Sequence, residues 1–66
     1  MKRKELIRHL EKHDCIFLRE GANHSIYISS VNPNLKAPIP RHKEVEDFLA
    51  IKICKELNIP LPLSLQ

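Results

Sequence analysis

The sequence predicts an α+β domain in the order αβββα, with two helices packed on one face of a three-stranded antiparallel sheet. Two stretches, residues 2–13 and 43–57, repeat apolar side chains at helical spacing. Between them lie three short runs of strand length, divided by turns at residues 20–23 and 30–34 that carry Gly, Asn and Pro. These 66 residues have room for one such domain.

The first helix, KRKELIRHLEKH, sets Leu6, Ile7 and Leu10 in one stripe and charges on the other faces. Its start runs against local physics. Lys2, Arg3 and Lys4 fall where the helix dipole is already positive, and no Ser, Thr, Asp or Asn precedes them as a cap. Two readings of that cluster stand: an ordinary solvated basic end, or cations gathered to meet phosphate.

The run CIFLR (15–19) reads as the first strand. In the turn that follows, Gly21 and Asn23 are expected to supply positive φ. The second strand, HSIYIS, puts His24, Ile26 and Ile28 on one face and Ser25, Tyr27 and Ser29 on the other. Which set faces the helices depends on register, and a one-residue slip inverts it. After a turn at Asn32-Pro33, Leu35, Ala37 and Ile39 alternate with Lys36, Pro38 and Pro40 as a third strand. Its prolines cannot donate to a ladder, so it belongs at a sheet edge or is irregular.

The second helix opens with Glu44, Glu46 and Asp47 at its positive end and buries Leu49, Ala50, Ile53, Cys54 and Leu57, with Val45 and Phe48 widening that face. Asn58 is the expected left-handed cap, and Pro60 forbids continuation. The chain thus divides into a domain, residues 1–59, and an apolar tail, 60–66. In that tail Leu61, Leu63 and Leu65 cover either the domain's own core or a partner.

Composition excludes several classes. One domain of this length cannot hold a dinucleotide-binding pair of βαβ units. Two Phe, one Tyr and no Trp leave little for an extended base-stacking platform. No apolar run approaches the ~20 residues of a membrane span, so no membrane association is expected. Cys15 and Cys54 lack metal-ligand spacing, and no secretory leader pattern is present, which points to reduced, buried thiols in a cytoplasmic chain. A net charge of +3 and a pI near 9.1 fit a nucleic-acid partner without requiring one.

The segment GANHSIY holds the most informative residue. His24 sits at the mouth of a strand, directly after a glycine turn, and histidine is the side chain whose charge changes nearest neutral pH. In a small basic protein the natural object of such a group is a phosphodiester. The plain alternative is a surface histidine that closes a hairpin. His9 and His13, on the first helix, are expected to be solvated.

REGANHSIYI followed by IPRHKE, within an αβββα chain of this size, resembles the HicA (YcfA-like) family, RNA-cleaving toxins of toxin–antitoxin modules. The resemblance runs from about Lys4 to Ile59. It implies a double-stranded-RNA-binding-domain-like fold and an mRNA interferase activity that arrests translation and growth. It puts the catalytic histidine on His24, the aromatic three residues later on Tyr27 and the turn glycine on Gly21. The family's PRH segment falls on Pro40, Arg41 and His42. The sequence departs from the family's pattern at His13-Asp14, where members often carry Asn-Gly, and around Asp47-Phe48-Leu49, which is acidic and apolar here. The implied partners are RNA and a HicB-type antitoxin, with a monomer when free and a hetero-oligomer when inhibited.

That chemistry is physically reasonable. RNA carries its own nucleophile, the 2′-hydroxyl, and a neutral imidazole can take its proton. Lys36, Arg41 or Lys43 can offset charge on the phosphorane oxygens, and neither a metal nor another cofactor is called for. His42 is either a phosphate contact at the second helix's N-terminus or the acid for the leaving oxygen. Two other readings stand beside this one: a non-catalytic RNA-binding module, and an interaction protein that docks a partner through its tail.

Overall fold

The computed structural model describes residues 1–66. Helix α1 spans Arg3–Lys12, strands β1, β2 and β3 span Cys15–Glu20, His24–Ser29 and Lys36–Pro40, and helix α2 spans Asp47–Glu56. The sheet is antiparallel in the order β1-β2-β3, so β2 is central and the two other strands are edges. The α+β, αβββα expectation is met at this level.

The register decides which face each side chain takes. Ser29 pairs with Cys15, while Tyr27 pairs with Phe17 on one side and Ala37 on the other, and Ser25 with Glu20 and Ile39. Cys15, Tyr27, Ala37, Ile39, Ser25 and Ser29 from these rows are buried, and the hydrophobic ones join Leu6 and Leu10 of α1 and Ala50, Ile53 and Cys54 of α2 in one core. Both helices therefore cover the same face. His24, Ile26 and Ile28 take the opposite, open face. Of the two parities the strand allowed, the one with serines and tyrosine inward is adopted.

The serines tolerate this because each finds partners. Ser29 Oγ accepts the Val31 and Asn32 N–H groups at 3.3 and 3.1 Å, which closes the β2–β3 turn. Ser25 joins the network described below. Tyr27 lies between them, and its ring meets Phe17 edge-on at 5.9 Å. Ile26 and Ile28 remain partly buried on the open face, beside the half-exposed Ile16.

β3 takes the edge, as its prolines require. The Ser29 N–H donates to the Leu35 carbonyl at 3.0 Å, so Tyr27–Ala37 and Ser25–Ile39 become the bonding pairs farther along. Pro38 and Pro40 fall at the alternate positions, where the missing N–H points away from β2. β1 runs one residue beyond the expected end and carries a bulge between Phe17 and Arg19. The bulge breaks the alternation at Leu18 and blunts the other edge.

α2 begins at Asp47, four residues later than the sequence suggested. Residues 43–45 instead run extended beside residues 1–3. The Arg3 N–H reaches the Lys43 carbonyl at 2.7 Å, and the Val45 N–H reaches the Met1 carbonyl at 2.8 Å. Burying Val45 in the core offsets the lost helical turn, and Glu44 and Glu46 therefore lie outside the helix. Phe48 does not widen the buried face, being 67% exposed. Asn58 adopts φ 55° as expected, in a Schellman closure with Asn58 N–H to Lys55 O and Ile59 N–H to Cys54 O.

Beyond α2 the tail folds back on its own domain. Ile59, Leu61 and Leu65 pack on the core, residues 63–65 form a single 3₁₀ turn, and Leu63 alone of the leucines projects, 87% exposed. His9 is no solvated bystander: its Nε2 lies 2.6 Å from the Pro60 carbonyl and ties α1 to the tail. His13 meets His9 edge-on at 4.6 Å. Cys15 and Cys54 are buried and unpaired, and burial pushes both thiols up from their ordinary range. No helix is long and apolar enough to cross a membrane.

Candidate functional site

The β1–β2 hairpin presents His24 at the rim of the sheet. Gly21 is needed there for closeness rather than for φ, since neither Gly21 nor Asn23 adopts a positive φ. The Gly21 N–H donates to the His24 carbonyl at 2.7 Å, and a Cβ on Gly21 would meet that oxygen at 3.3 Å and Ile26 Cδ1 at 3.6 Å. The His24 side chain is exposed on the open face, and the hydrogen bonds at this residue go to its backbone.

Arg41 holds the turn from the opposite strand end. Because Pro40 pairs with His24, the next residue stands beside the hairpin. Its Nη2 donates to the Gly21 carbonyl at 2.6 Å and the His24 carbonyl at 3.3 Å, and its Nη1 reaches the Ala22 carbonyl at 3.4 Å. The same guanidinium meets Glu20 Oε1, with Nε at 2.8 Å and Nη2 at 2.6 Å.

The carboxylate continues the network inward. The Ser25 hydroxyl donates to Glu20, with both carboxylate oxygens at 3.1 Å, and accepts from Arg3 Nη2 at 3.0 Å. Arg3 Nε also donates to the Pro40 carbonyl at 2.8 Å. The hydrogen bond from Arg41 holds the Glu20 carboxyl below its ordinary range, with smaller contributions from Ser25 and the Arg3 charge. The chain Arg3–Ser25–Glu20–Arg41 thus joins the start of α1, both strands of the hairpin and the end of β3.

The structure brings His24, Gly21 and Arg41 together at one end of the sheet. Lys43 and His42 follow in the exposed segment after β3. His42 does not mark the N-terminus of α2, because that helix opens at Asp47. Lys36 shares the open face with His24 but pairs with Ile28 at the other end of β3. Four residues of strand place it about 13 Å away. Tyr27 faces the core, 8% exposed, and burial raises its phenol above the ordinary range.

Sequence reasoning passed over Glu20 and Ser25, and it read Arg3 only as part of a basic cluster. One signal was available. A Glu before the turn glycine, with an Arg just past the strand expected to end beside it, is a cross-strand charge pair waiting for a register. Nothing local marked Ser25 as buried.

A cleft of about 620 Å³ opens beside this network, lined by Lys2, Arg3, Lys4, Arg41, Lys43 and Glu44. No family model matches the chain, and no curated protein and no solved structure matches it.

Proposed function

We propose that this chain is a metal-independent endoribonuclease of the HicA kind, with a double-stranded-RNA-binding-domain-like fold and His24 as general base. The observation that carries the reading is an exposed imidazole on a rigid hairpin rim, next to a concentration of cations. In the reaction, His24 takes the proton of a 2′-hydroxyl, whose oxygen attacks the adjacent phosphorus. The P–O bond to the 5′-oxygen breaks, a 2′,3′-cyclic phosphate remains on one product, and the leaving oxygen receives a proton from an acid or from water. Such a base is worth typically 10²–10⁴-fold.

The cations do not contribute equally to this scheme. Arg41 is already engaged by Glu20, so its charge is largely neutralised at the rim. Lys43 has no such partner within the chain, so its charge remains available to phosphate. His42 remains exposed and serves either as a phosphate contact or as the acid.

Restraint of such an activity comes in trans, from a HicB-type antitoxin that covers the hairpin rim in the cytoplasm. The free protein is then a monomer, and the complex a hetero-oligomer stabilised by mass action.

His24→Ala tests the reading. Cleavage of an unstructured RNA is expected to fall by at least ~10²-fold, and growth arrest on expression is expected to disappear, with folding unchanged for an exposed rim residue. Cutting is expected to continue in excess EDTA. Cleavage by the variant within a few-fold of the parent removes His24 from the mechanism. Retained RNA binding by a parent that never cuts instead favours the non-catalytic RNA-binding module.

A further inference from the structure

The positive charge of this protein is gathered in one place. The 620 Å³ cleft beside the hairpin is lined by five cations, Lys2, Arg3, Lys4, Arg41 and Lys43, against one carboxylate, Glu44, and by no hydrophobic residue. The whole chain carries +3, so the rest of the molecule is slightly negative. Glu44 is itself drawn to the Met1 ammonium, 3.8 Å away.

Two structural features hold these charges together. The extended pairing of residues 1–3 with 43–45 sets Lys2 opposite Glu44 and brings Lys43 against the start of α1. The network through Ser25 and Glu20 then fixes both guanidinium groups, Arg3 on the Pro40 carbonyl and Arg41 on the turn carbonyls. Lys2, Lys4 and Lys43 keep exposed ammonium groups and have no acidic partner within the chain. Helix α1 adds its own positive end, because Lys2 offers no side-chain cap. Like charges held this close repel one another; Glu20 and Glu44 offset part of that repulsion, and a polyanion offsets the rest.

We infer that this cleft is a second nucleic-acid site, which seats consecutive phosphates of a single RNA strand on the side of the hairpin away from the open face. The inference rests on RNA being the ligand and adds a place where strand outside the reacting linkage is held. Its size lies in the usual range of ligand clefts, about 300–1,000 Å³. With no hydrophobic residue and no aromatic ring, and with both guanidinium groups tied to carbonyls, it offers little on which to stack a base. It therefore grips backbone and is indifferent to sequence. Arg41 borders both the cleft and the hairpin, so a strand leaving the cleft passes the rim that carries His24.

The test uses the whole chain and a single-stranded RNA with every 2′-hydroxyl methylated, which binds but offers no nucleophile. Fluorescence anisotropy is measured across a salt series for the parent, for Lys2→Ala/Lys4→Ala/Lys43→Ala, and for the matching triple Lys→Arg variant. Each lost phosphate contact to a single strand lowers the slope of log affinity against log salt by about 0.7. The alanine triple is expected to lose about two units of slope, and the arginine triple to keep the parent's. All three lysines are exposed, so melting curves are expected to match the parent's.

An unchanged slope in the alanine triple overturns the inference. So does a cleft whose lysines are needed to bind polyglutamate but not the RNA, which assigns it to an acidic protein partner. The two proposals separate cleanly. If the lysines govern binding of the methylated strand but the parent does not cut unmodified RNA, the cleft stands and the catalytic reading falls. If the parent cuts RNA while binding ignores the lysines, the reverse holds.

Discussion

Arg41, just past β3, and Glu20, at the end of β1, form the closest ion pair in the molecule, with Nη2 2.6 Å from Oε1, although each side chain is about half exposed, at 45% and 56%. The pair is positional more than energetic. Exposed ion pairs are worth at most about 1 kcal/mol. The same guanidinium, however, also ties the Gly21 and His24 carbonyls and so decides where the hairpin rim lies. Arg41→Ala is expected to destabilise the domain by about 1 kcal/mol, or roughly 4–8 °C in Tm. It is expected to speed amide exchange at residues 21–24 far more than in α2. Exchange that rises uniformly would show that Arg41 does not hold the turn.

Acid should undo this pairing in a predictable window. Glu20 is held below its ordinary range chiefly by the Arg41 hydrogen bond, so the unfolded chain binds its proton more readily than the folded one. The stabilisation is complete above the unfolded carboxylate pKa, about 4.3. It is lost as pH falls through the lower, folded value. Thermal melts between pH 7 and 3 are expected to show an acid decline that is shallower in Glu20→Gln. Identical declines would place the acid sensitivity on other carboxylates.

Tyr27 separates two roles that the sequence could not. It lies in the row that faces the helices, edge-on to Phe17 and 8% exposed, so it acts as a core residue. Tyr27→Ala is expected to cost about 3–5 kcal/mol, by analogy with other buried aromatics, and to leave a domain of this size largely unfolded. Tyr27→Phe is expected to fold normally and to cut RNA at the parent's rate. A folded Tyr27→Phe variant that is inactive would restore a direct chemical part for the phenol.

Asp14 pays for the end of α1 with a left-handed backbone at φ 65°. Its carbonyl accepts the Ser30 N–H and hydroxyl at 2.8 and 2.7 Å, while its side chain is not needed for that link. Asp14→Gly is expected to raise stability by about 0.5–1 kcal/mol, because glycine takes this conformation without strain. Asn58→Gly, at φ 55°, is expected to gain less, since asparagine is already suited to it. Chemical denaturation of both variants checks the order.

Residues with a strong local preference were legible in the chain. The stripe of Leu6 and Leu10 fixed α1 and its buried face, and the prolines of β3 sent that strand to an edge. Asn58 and Pro60 ended α2, and the glycine turn put His24 at the mouth of β2. Each of these follows from backbone sterics or from a helical period, which act over a few residues. Tertiary structure decided the rest. Alternation alone left the face of β2 open; it turned inward on Tyr27 because Ser25 and Ser29 found partners from α1, β1 and the following turn. The start of α2 moved to Asp47 because residues 43–45 pair with residues 1–3, an arrangement in which Val45 is buried. That same pairing, joining positions forty or more apart in sequence, is what turned a basic helix end into a walled cleft. Such contacts depend on which segments meet in space, and no local pattern encodes them.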